Sequence, residues 1–493
     1  MPARYRFPSC ASADIAAPRA AALTTALAMA LATALGGCAA GPVYRPPAFE
    51  PAPQYLAQAP AFTAAAPAER WWTVFGDPLL EELVAAALAD SPDLLAAEAR
   101  VRGARALRSV AGADALPQLE ARSDVSRDQL SRNGENFANL PFPNPKTEFT
   151  DYRLGFDASW ELDLAGRTRR ALEAAAARVD SAVASRDDAR VVLAAEVVSS
   201  YASYRVGQQR VALANETLAA YTETARLVDL QRQAGLASEL QKQRAAAERL
   251  SAEAIVPALE AETGVALYRV AALIGQQPAA LAARLAAVTP VPAPPDSVPI
   301  GLPSDLLRRR PDIRRAEREL AAATADIGVA VAEQYPRFSL TGDVGLDSIR
   351  RGDLTDAASR FWNLGPQLTV PLLAGGRLRA QVSAREAARD VALQAYRAAV
   401  LKALADTESA LIRYSHEHSR AVSLAASHAA LDHMLALARQ RYGAGETALT
   451  DVLDVQRESN QLADQQAQSA GQAALNFAAL HKALGGGWSG EGR

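Results

Sequence analysis

The chain has 493 residues, only two cysteines, 6% aromatic residues and a formal charge of −3. That balance lacks the basic excess a nucleic-acid surface needs. Cys10 and Cys38 both lie near the N-terminus and build neither a disulfide framework nor a zinc site.

Residues 1–37 carry Arg4, Arg6 and Arg19 ahead of an apolar run from Ala20 to Leu35. The run is too short and too alanine-rich to span a membrane and ends in small residues, so it reads as a signal peptide. Leu35-Gly36-Gly37-Cys38 resembles the lipobox of bacterial lipoproteins. By that resemblance Cys38 is the lipidated first residue of the mature chain. Ala39 follows, where an aspartate would suggest retention at the inner membrane. A lipid here anchors the chain without spanning.

Residues 38–70 are rich in Pro and Ala without periodicity and read as an extended tether. Order begins at Trp71-Trp72, and Asp77 caps a helix with Pro78 at its first position. That helix runs to about Leu88, and a second runs from Ser91-Pro92 to about Ala113. From Pro117 the period becomes two. Leu119, Ala121, Ser123 and Val125 share one face of a strand over about 117–127. Tyr152, Leu154, Phe156, Ala158, Trp160 and Leu162 share one face of a second over about 151–163. The loop between them carries Asn133-Gly134 and several prolines, which makes a hairpin.

A helical pattern then runs from Gly166 to about Gly235, interrupted at Gly207. At 1.5 Å per residue it predicts a rod of roughly 100 Å, far beyond the usual globular helix. Gly235 makes a turn, and Ser238 with Gln241 starts a return helix to about Ile274-Gly275, kinked locally by Pro257. Residues 276–303, with a cluster of six prolines from Pro290 to Pro303, read as a linker.

The chain then repeats itself. Pro92 returns as Pro311 and Pro117 as Pro336, an offset of 219. Past the first hairpin loop the offset is 210: Gly166-Arg167 returns as Gly376-Arg377, and Gly235 as Gly445. The chain is a tandem duplication, with repeats at 71–275 and 304–487 and a tail at 488–493. The second repeat has strands at about 337–347 and 362–373 and an unbroken helical run from about Gly376 to Gly443.

Each half thus offers two strands of the length that crosses a bilayer when tilted. Their apolar faces have no partner in the chain. Trp160, Trp362, Tyr152 and Phe338 lie near strand ends, where interfacial aromatics belong. Open edges are not tolerated in lipid and the smallest barrels have about eight strands, so several copies must share one barrel with a charged lumen.

The chain resembles the outer-membrane factors of tripartite efflux systems, TolC-like channels of the NodT-type lipoprotein branch. The residues that carry this are Trp72 through Pro78, Arg310-Pro311-Asp312-Ile313, Pro336 with Phe338-Ser339-Leu340, Gly375-Gly376-Arg377, Arg441-Tyr442 with Gly445, and Ala483 through Trp488. The resemblance implies a mainly helical protein with transmembrane β-structure. Four strands per protomer join a trimeric twelve-stranded barrel, continued by a long periplasmic α-helical barrel. It implies a lipid-anchored homotrimer in the outer membrane with a large periplasmic portion. Its partners would be a periplasmic adaptor and an inner-membrane pump of the RND type, with no cofactor and no nucleic acid.

By the same resemblance, Asp451 and Asp454 ring the closed periplasmic mouth and Tyr442, with Thr450 nearby, helps hold it shut. Their spacing of three puts the two aspartates on one helical face. Thr447 stands where some relatives have an arginine latch. The first half has Gln241 and Arg244 at the corresponding positions, so an acidic ring would come from the second half alone. Gly235 and Gly445 mark the turns an adaptor would contact. The five histidines lack metal spacing and read as surface residues, and no active site is expected. The function expected is a passive exit duct for small toxic compounds. Outer-membrane passage of a secreted protein and a periplasmic coiled-coil scaffold are the alternatives.

Overall fold

The computed structural model describes residues 39–131 and 147–488. The expected signal peptide, the expected lipidation site Cys38, the Asn133-Gly134 loop and residues 489–493 of the tail lie outside the described residues. The elements in chain order are β1 (Phe62–Thr63), a 3₁₀ turn (Trp71–Phe75), α1 (Pro78–Asp90), α2 (Pro92–Ala113), β2 (Gln118–Gln129), β3 (Glu148–Leu162), α3 (Arg167–Gln233) and α4 (Glu239–Leu273). There follow α5 (Pro278–Leu285), β4 (Val298–Pro299), α6 (Pro303–Arg309), α7 (Pro311–Ala332), β5 (Arg337–Ser348), β6 (Arg360–Thr369), α8 (Arg377–Gly443) and α9 (Leu449–Ala483). The chain divides into two compact units. Among the described residues, one holds 39–45, 106–131, 147–177 and 321–390, and the other holds 46–105, 178–320 and 391–488.

The first unit is built on an antiparallel sheet in the order β2-β3-β5-β6. Its register puts Ala121 opposite Phe156, Phe156 opposite Val344 and Val344 opposite Trp362. The alternating residues of all four strands therefore share one face, which stays open: Leu119 is 69% exposed, Trp362 78% and Leu364 66%. The opposite face is charged. Arg122 pairs with Asp157 and Arg153 with Asp343, each at 2.9 Å. Gly155 and Gly345 face each other across β3 and β5. A Cβ on Gly345 would run into the Leu154 carbonyl and stand 2.9 Å from the Phe361 ring. The Phe361 ring covers this bare patch, with the Arg153 guanidinium 4.4 Å from its centroid.

Strand ends moved relative to expectation. β3 begins at Glu148 rather than about 151, which places Tyr152 inside the strand and not at its end. β6 stops at Thr369 rather than about 373, short of Pro371, which has no N–H for the ladder. Pro366 is retained opposite Leu340 on this edge strand, where proline is tolerated. At the other end of β3, Asp163 accepts the Arg169 backbone N–H at 2.8 Å and Glu161 takes Arg167 in a two-pronged ion pair. Gly166 makes the bend into α3 at φ +81°.

The second unit holds most of α3 and α8, each 67 residues long, and the return helices α4 and α9, each 35. α3 passes through Gly207 without a break, contrary to the interruption expected there. The missing side chain admits Thr263 of α4, and Gly471 of α9 likewise admits Val206. Two alanine-sized gaps thus let α3 approach both return helices closely. α4 also continues through Pro257.

The core of this unit brings early residues such as Trp71 and Trp72 against late ones such as Phe477 and Leu484. Trp71 stacks on His481 at 4.9 Å and meets Phe477 edge-on at 5.9 Å. The expectation that the histidines lie at the surface fails for His481, which is 2% exposed. Burial first, and the nearby Arg309 charge second, push its pKa down to about 3. The Arg310-Pro311-Asp312 motif is also structural. Arg310 grips Asp312 with two bonds of 3.0 and 2.7 Å and donates to the Ala483 carbonyl at 3.0 Å. Burial pushes the Asp312 carboxyl up, but the Arg310 guanidinium outweighs it and holds it below the usual range.

The tether and the linker are more ordered than their composition suggests. β1 pairs in parallel with β4, and Glu408 accepts the N–H groups of Leu56 and Ala57 at 2.7 and 3.0 Å. Within the linker, α5 packs Leu281 and Leu285 into the core. Two tyrosines at equivalent positions of the repeats hold this segment. Tyr204 donates to the Leu285 carbonyl and Tyr414 to the Pro295 carbonyl, both at 3.1 Å.

Candidate functional site: the helical turns and the N-terminal socket

α3 and α8 end in the same turn. Gly235 and Gly445 sit at φ +74° and +75°. Gly235 N–H donates to Arg232 O at 2.9 Å and Leu236 N–H to Gln231 O at 2.7 Å. Gly445 N–H donates to Tyr442 O at 3.0 Å and Glu446 N–H to Arg441 O at 2.9 Å. This two-bond closure needs a left-handed residue, and open space surrounds both glycines, so conformation rather than crowding selects them.

The return helices then start alike. The Gln241 side chain accepts the Ser238 N–H at 2.8 Å, and the Asp451 carboxylate, at the equivalent position, accepts the Ala448 N–H at 3.2 Å. Asp451 thereby caps α9 and complements its positive end. Asp454 has a different job. Its Oδ1 accepts from Arg244 of α4 at 2.6 Å and from Arg457 at 3.2 Å, and Arg457 reaches Glu248 at 3.6 Å. Four alternating charges therefore tie the return helix of one repeat to that of the other. Arg244 and Asp454 are themselves equivalent positions, 210 residues apart. Their side chains remain 37% and 48% exposed.

Tyr442 packs against a cluster that includes Tyr221, Val228, Ala245, Leu449 and Leu453. Its hydroxyl receives only a long 3.5 Å contact from Gln231. Thr450 is half-buried, and the Thr447 hydroxyl is buried with no hydrogen-bond partner among the described residues. The structure thus brings Asp454 to Arg244 and leaves Asp451 to its own helix. In the sequence Arg244 stands only as the counterpart of Asp454 in the other repeat. Opposite charges at equivalent repeat positions were the signal that the two meet.

A second arrangement surrounds the start of the described chain. Ala40 N–H donates to the Ala165 carbonyl at 3.0 Å. The buried Arg170 donates to the carbonyls of Ala40 at 3.1 Å and Gly41 at 3.3 Å, and pairs with Glu173 at 2.8 Å. Gly328 of α7 makes room: a Cβ there would stand 2.8 Å from the Arg170 stem and 2.9 Å from the Ala40 carbonyl. Residues 39–41 are therefore fixed beside Ala165 and Gly166, just beyond the end of β3. A lone glycine within the α7 pattern was the available signal for this socket.

A sheet with one open apolar face and one charged face, attached to duplicated long helical hairpins, defines a membrane channel of the outer-membrane type. The chain matches the outer membrane efflux protein family over residues 83–276 and 302–486, and it belongs to that family. It is 31% identical to nodulation protein T of Rhizobium leguminosarum bv. viciae, over 92% of this chain and 91% of that protein. To outer membrane protein OprJ of Pseudomonas aeruginosa it is 33% identical, over 93% and 94%. Among solved structures, the outer-membrane channel OprN superposes with a TM-score of 0.83 at 36% identity, covering 92% of this chain and all of that one. The open-state MtrE outer membrane channel of Neisseria gonorrhoeae gives 0.79 at 29% identity, covering 91% and 98%. Both neighbours are outer-membrane channels, and the four-stranded sheet and tandem helical repeats described above share their fold. The chain is an outer-membrane efflux channel protein, located in the outer membrane with a large periplasmic helical portion.

Proposed function

We propose that the chain forms a homotrimer in which twelve strands close one barrel, and that this channel is the passive exit duct for small toxic compounds. An adaptor and an inner-membrane pump of the RND type would deliver them. The observation that carries this is the sheet itself. Its apolar residues share one exposed face, and its outer strands β2 and β6 each have a single neighbouring strand among the described residues. Lipid supplies the missing cover and a sister subunit the missing edge. Relatives named for toluene efflux and for pyoverdine export support small cargo over secreted protein. The protein supplies a path and a gate and performs no chemistry of its own. Cys38 is the proposed lipid anchor; the socket around Ala40 would bring it to the level where the strands end. The Arg244–Asp454 contact, with Tyr442 and Asp451 beside it, is the proposed gate, and the Gly235 and Gly445 turns are the proposed adaptor contact.

A deletion strain screened against organic solvents, antibiotics and metal salts tests the duct. Sensitisation to at least one class, restored by the wild-type gene, is expected together with copurification of an adaptor and a pump. Unchanged resistance across the panel, with no such partners, refutes the assignment.

A further inference from the structure

Three chains of two repeats each make a ring of six like units, so half of its seams lie inside chains and half between copies. The seam inside a chain joins α3 of the first repeat to α9 of the second. There Arg210 grips Asp464 with bonds of 2.6 and 3.3 Å, and Gly471 admits Val206. Exchange of the repeats, at the offset of 210, carries α3 to α8 and α9 to α4. The same contact between copies therefore joins α8 of one chain to α4 of the next.

Both of those faces are bare in the single chain. Leu401 of α8 is 59% exposed where its counterpart Val191 is 2% exposed, and Tyr268 of α4 is 57% exposed where Ala478 is fully buried. Ile412 is likewise exposed and its counterpart Ala202 buried. Large apolar side chains thus lie open on α8 and α4 at positions that the other repeat covers. Ala261, at the counterpart of Gly471, is exposed and small enough for a close approach. A second copy of the chain is the occupant that repetition of the inner seam supplies.

The two seams are not equally tied. Arg210 returns as Arg420, but Asp464 returns as Ala254. Arg420 turns instead to Glu417 of its own helix at 3.4 Å. The tip pair does not distinguish the seams, because exchange carries Arg244 to position 454 and Asp454 to position 244. We propose that neighbouring copies meet through α8 and α4 in the manner of α3 and α9, and that this seam, lacking the carboxylate, is the one that yields when the tube widens. The inference rests on the homotrimer proposed above and names the faces and the weak seam within it.

Arg420→Cys with Ala254→Cys puts thiols across the seam between copies, and Arg210→Cys with Asp464→Cys puts them across the seam within a chain. Each purified full-length variant is treated with a short bifunctional maleimide, with single-cysteine variants as references. The first pair should give covalent dimers and trimers on a denaturing gel, and the second should give none while its thiols are consumed. In planar bilayers the link between copies should suppress conductance, whereas the link within a chain should leave it unchanged. Ala254→Asp supplies the missing carboxylate in three seams and should lower the open-to-closed ratio by at least about threefold. Ala254→Asn should not reproduce this, and Arg420→Ala on the Ala254→Asp background should cancel it. A trimer by native mass that gives no covalent species overturns the seam. Conductance untouched by the link between copies, or suppressed by the link within a chain, overturns the choice of the yielding seam, as does an Ala254→Asp channel that behaves like Ala254→Asn. A monomeric native mass overturns the homotrimer itself, and this seam with it.

Discussion

Breaking the Arg244–Asp454 contact should open the resting channel, and the size of the effect follows from its exposure. Both side chains are about half exposed, so the pair contributes roughly 0.2–1 kcal/mol in each protomer. If three protomers open together, the loss sums to roughly 0.6–3 kcal/mol, which is about a threefold to 150-fold rise in the open-to-closed ratio. Asp454→Ala should lie at the upper end, since it releases Arg244 and Arg457 together. Arg244→Ala leaves Asp454 with Arg457 and should lie lower. The assay is single-channel conductance of the purified protein in planar bilayers at about 0.1 M salt, where screening is incomplete, repeated at about 1 M, where the Debye length falls to about 3 Å. Wild type at high salt should move toward the Asp454→Ala behaviour. A double-mutant cycle on Arg244 and Asp454 isolates the pair. Additive single effects, or conductance unchanged by either substitution, would show that this contact holds nothing shut.

Three further outcomes are expected. The His481 imidazole titrates near 6.5 in the unfolded chain but is held neutral in the fold down to about 3. The unfolded state takes up the proton first, so stability is full above about pH 6.5 and falls by about 1.4 kcal/mol per unit on acidification. His481→Phe should flatten the thermal-stability profile between pH 7 and pH 4.5, and a profile as steep as wild type would contradict the burial argument. On the sheet, Val344→Arg places a charge mid-strand on the apolar face and should cost about 2–4 kcal/mol of folding into vesicles. Asn363→Arg, on the charged face one residue from Trp362, should fold normally and shift ion selectivity; equal damage from both would mean the faces are misassigned. Finally, Cys38→Ser should abolish incorporation of labelled palmitate, and Arg170→Met should expose residues 39–45 to protease. Persistent labelling in the first, or unchanged digestion in the second, would separate the anchor from its socket.

Much of the architecture was readable from periodicity and repetition. Strand faces, rods, turns and caps all depend on local spacing, and the register kept the expected apolar residues within the strands on one side, while Val370 and Leu372 fall beyond the end of β6. What escaped depended on distant partners. Pro-rich composition hid the β1–β4 pairing, because the residues that pair with 62–63 lie at 298–299. Gly207 looked like a break because only the approach of Thr263 explains a helical glycine there. His481 looked like a surface residue because nothing local announces Trp71 above it. At the turns, spacing put Asp451 and Asp454 on one face, whereas the contacts that separate their roles come from Ala448 and from Arg244 in the other repeat.

The stacking of Trp71 on His481 also bears on how the chain is made. Trp71 is made some four hundred residues before its neighbours, and its buried surroundings include Phe477, His481 and Gly486. A contact spanning some four hundred residues carries a high loop-closure cost and forms late. Until α9 is made, the tryptophan pair has no finished pocket, so the packing of the first repeat's entry waits on the last helix of the second.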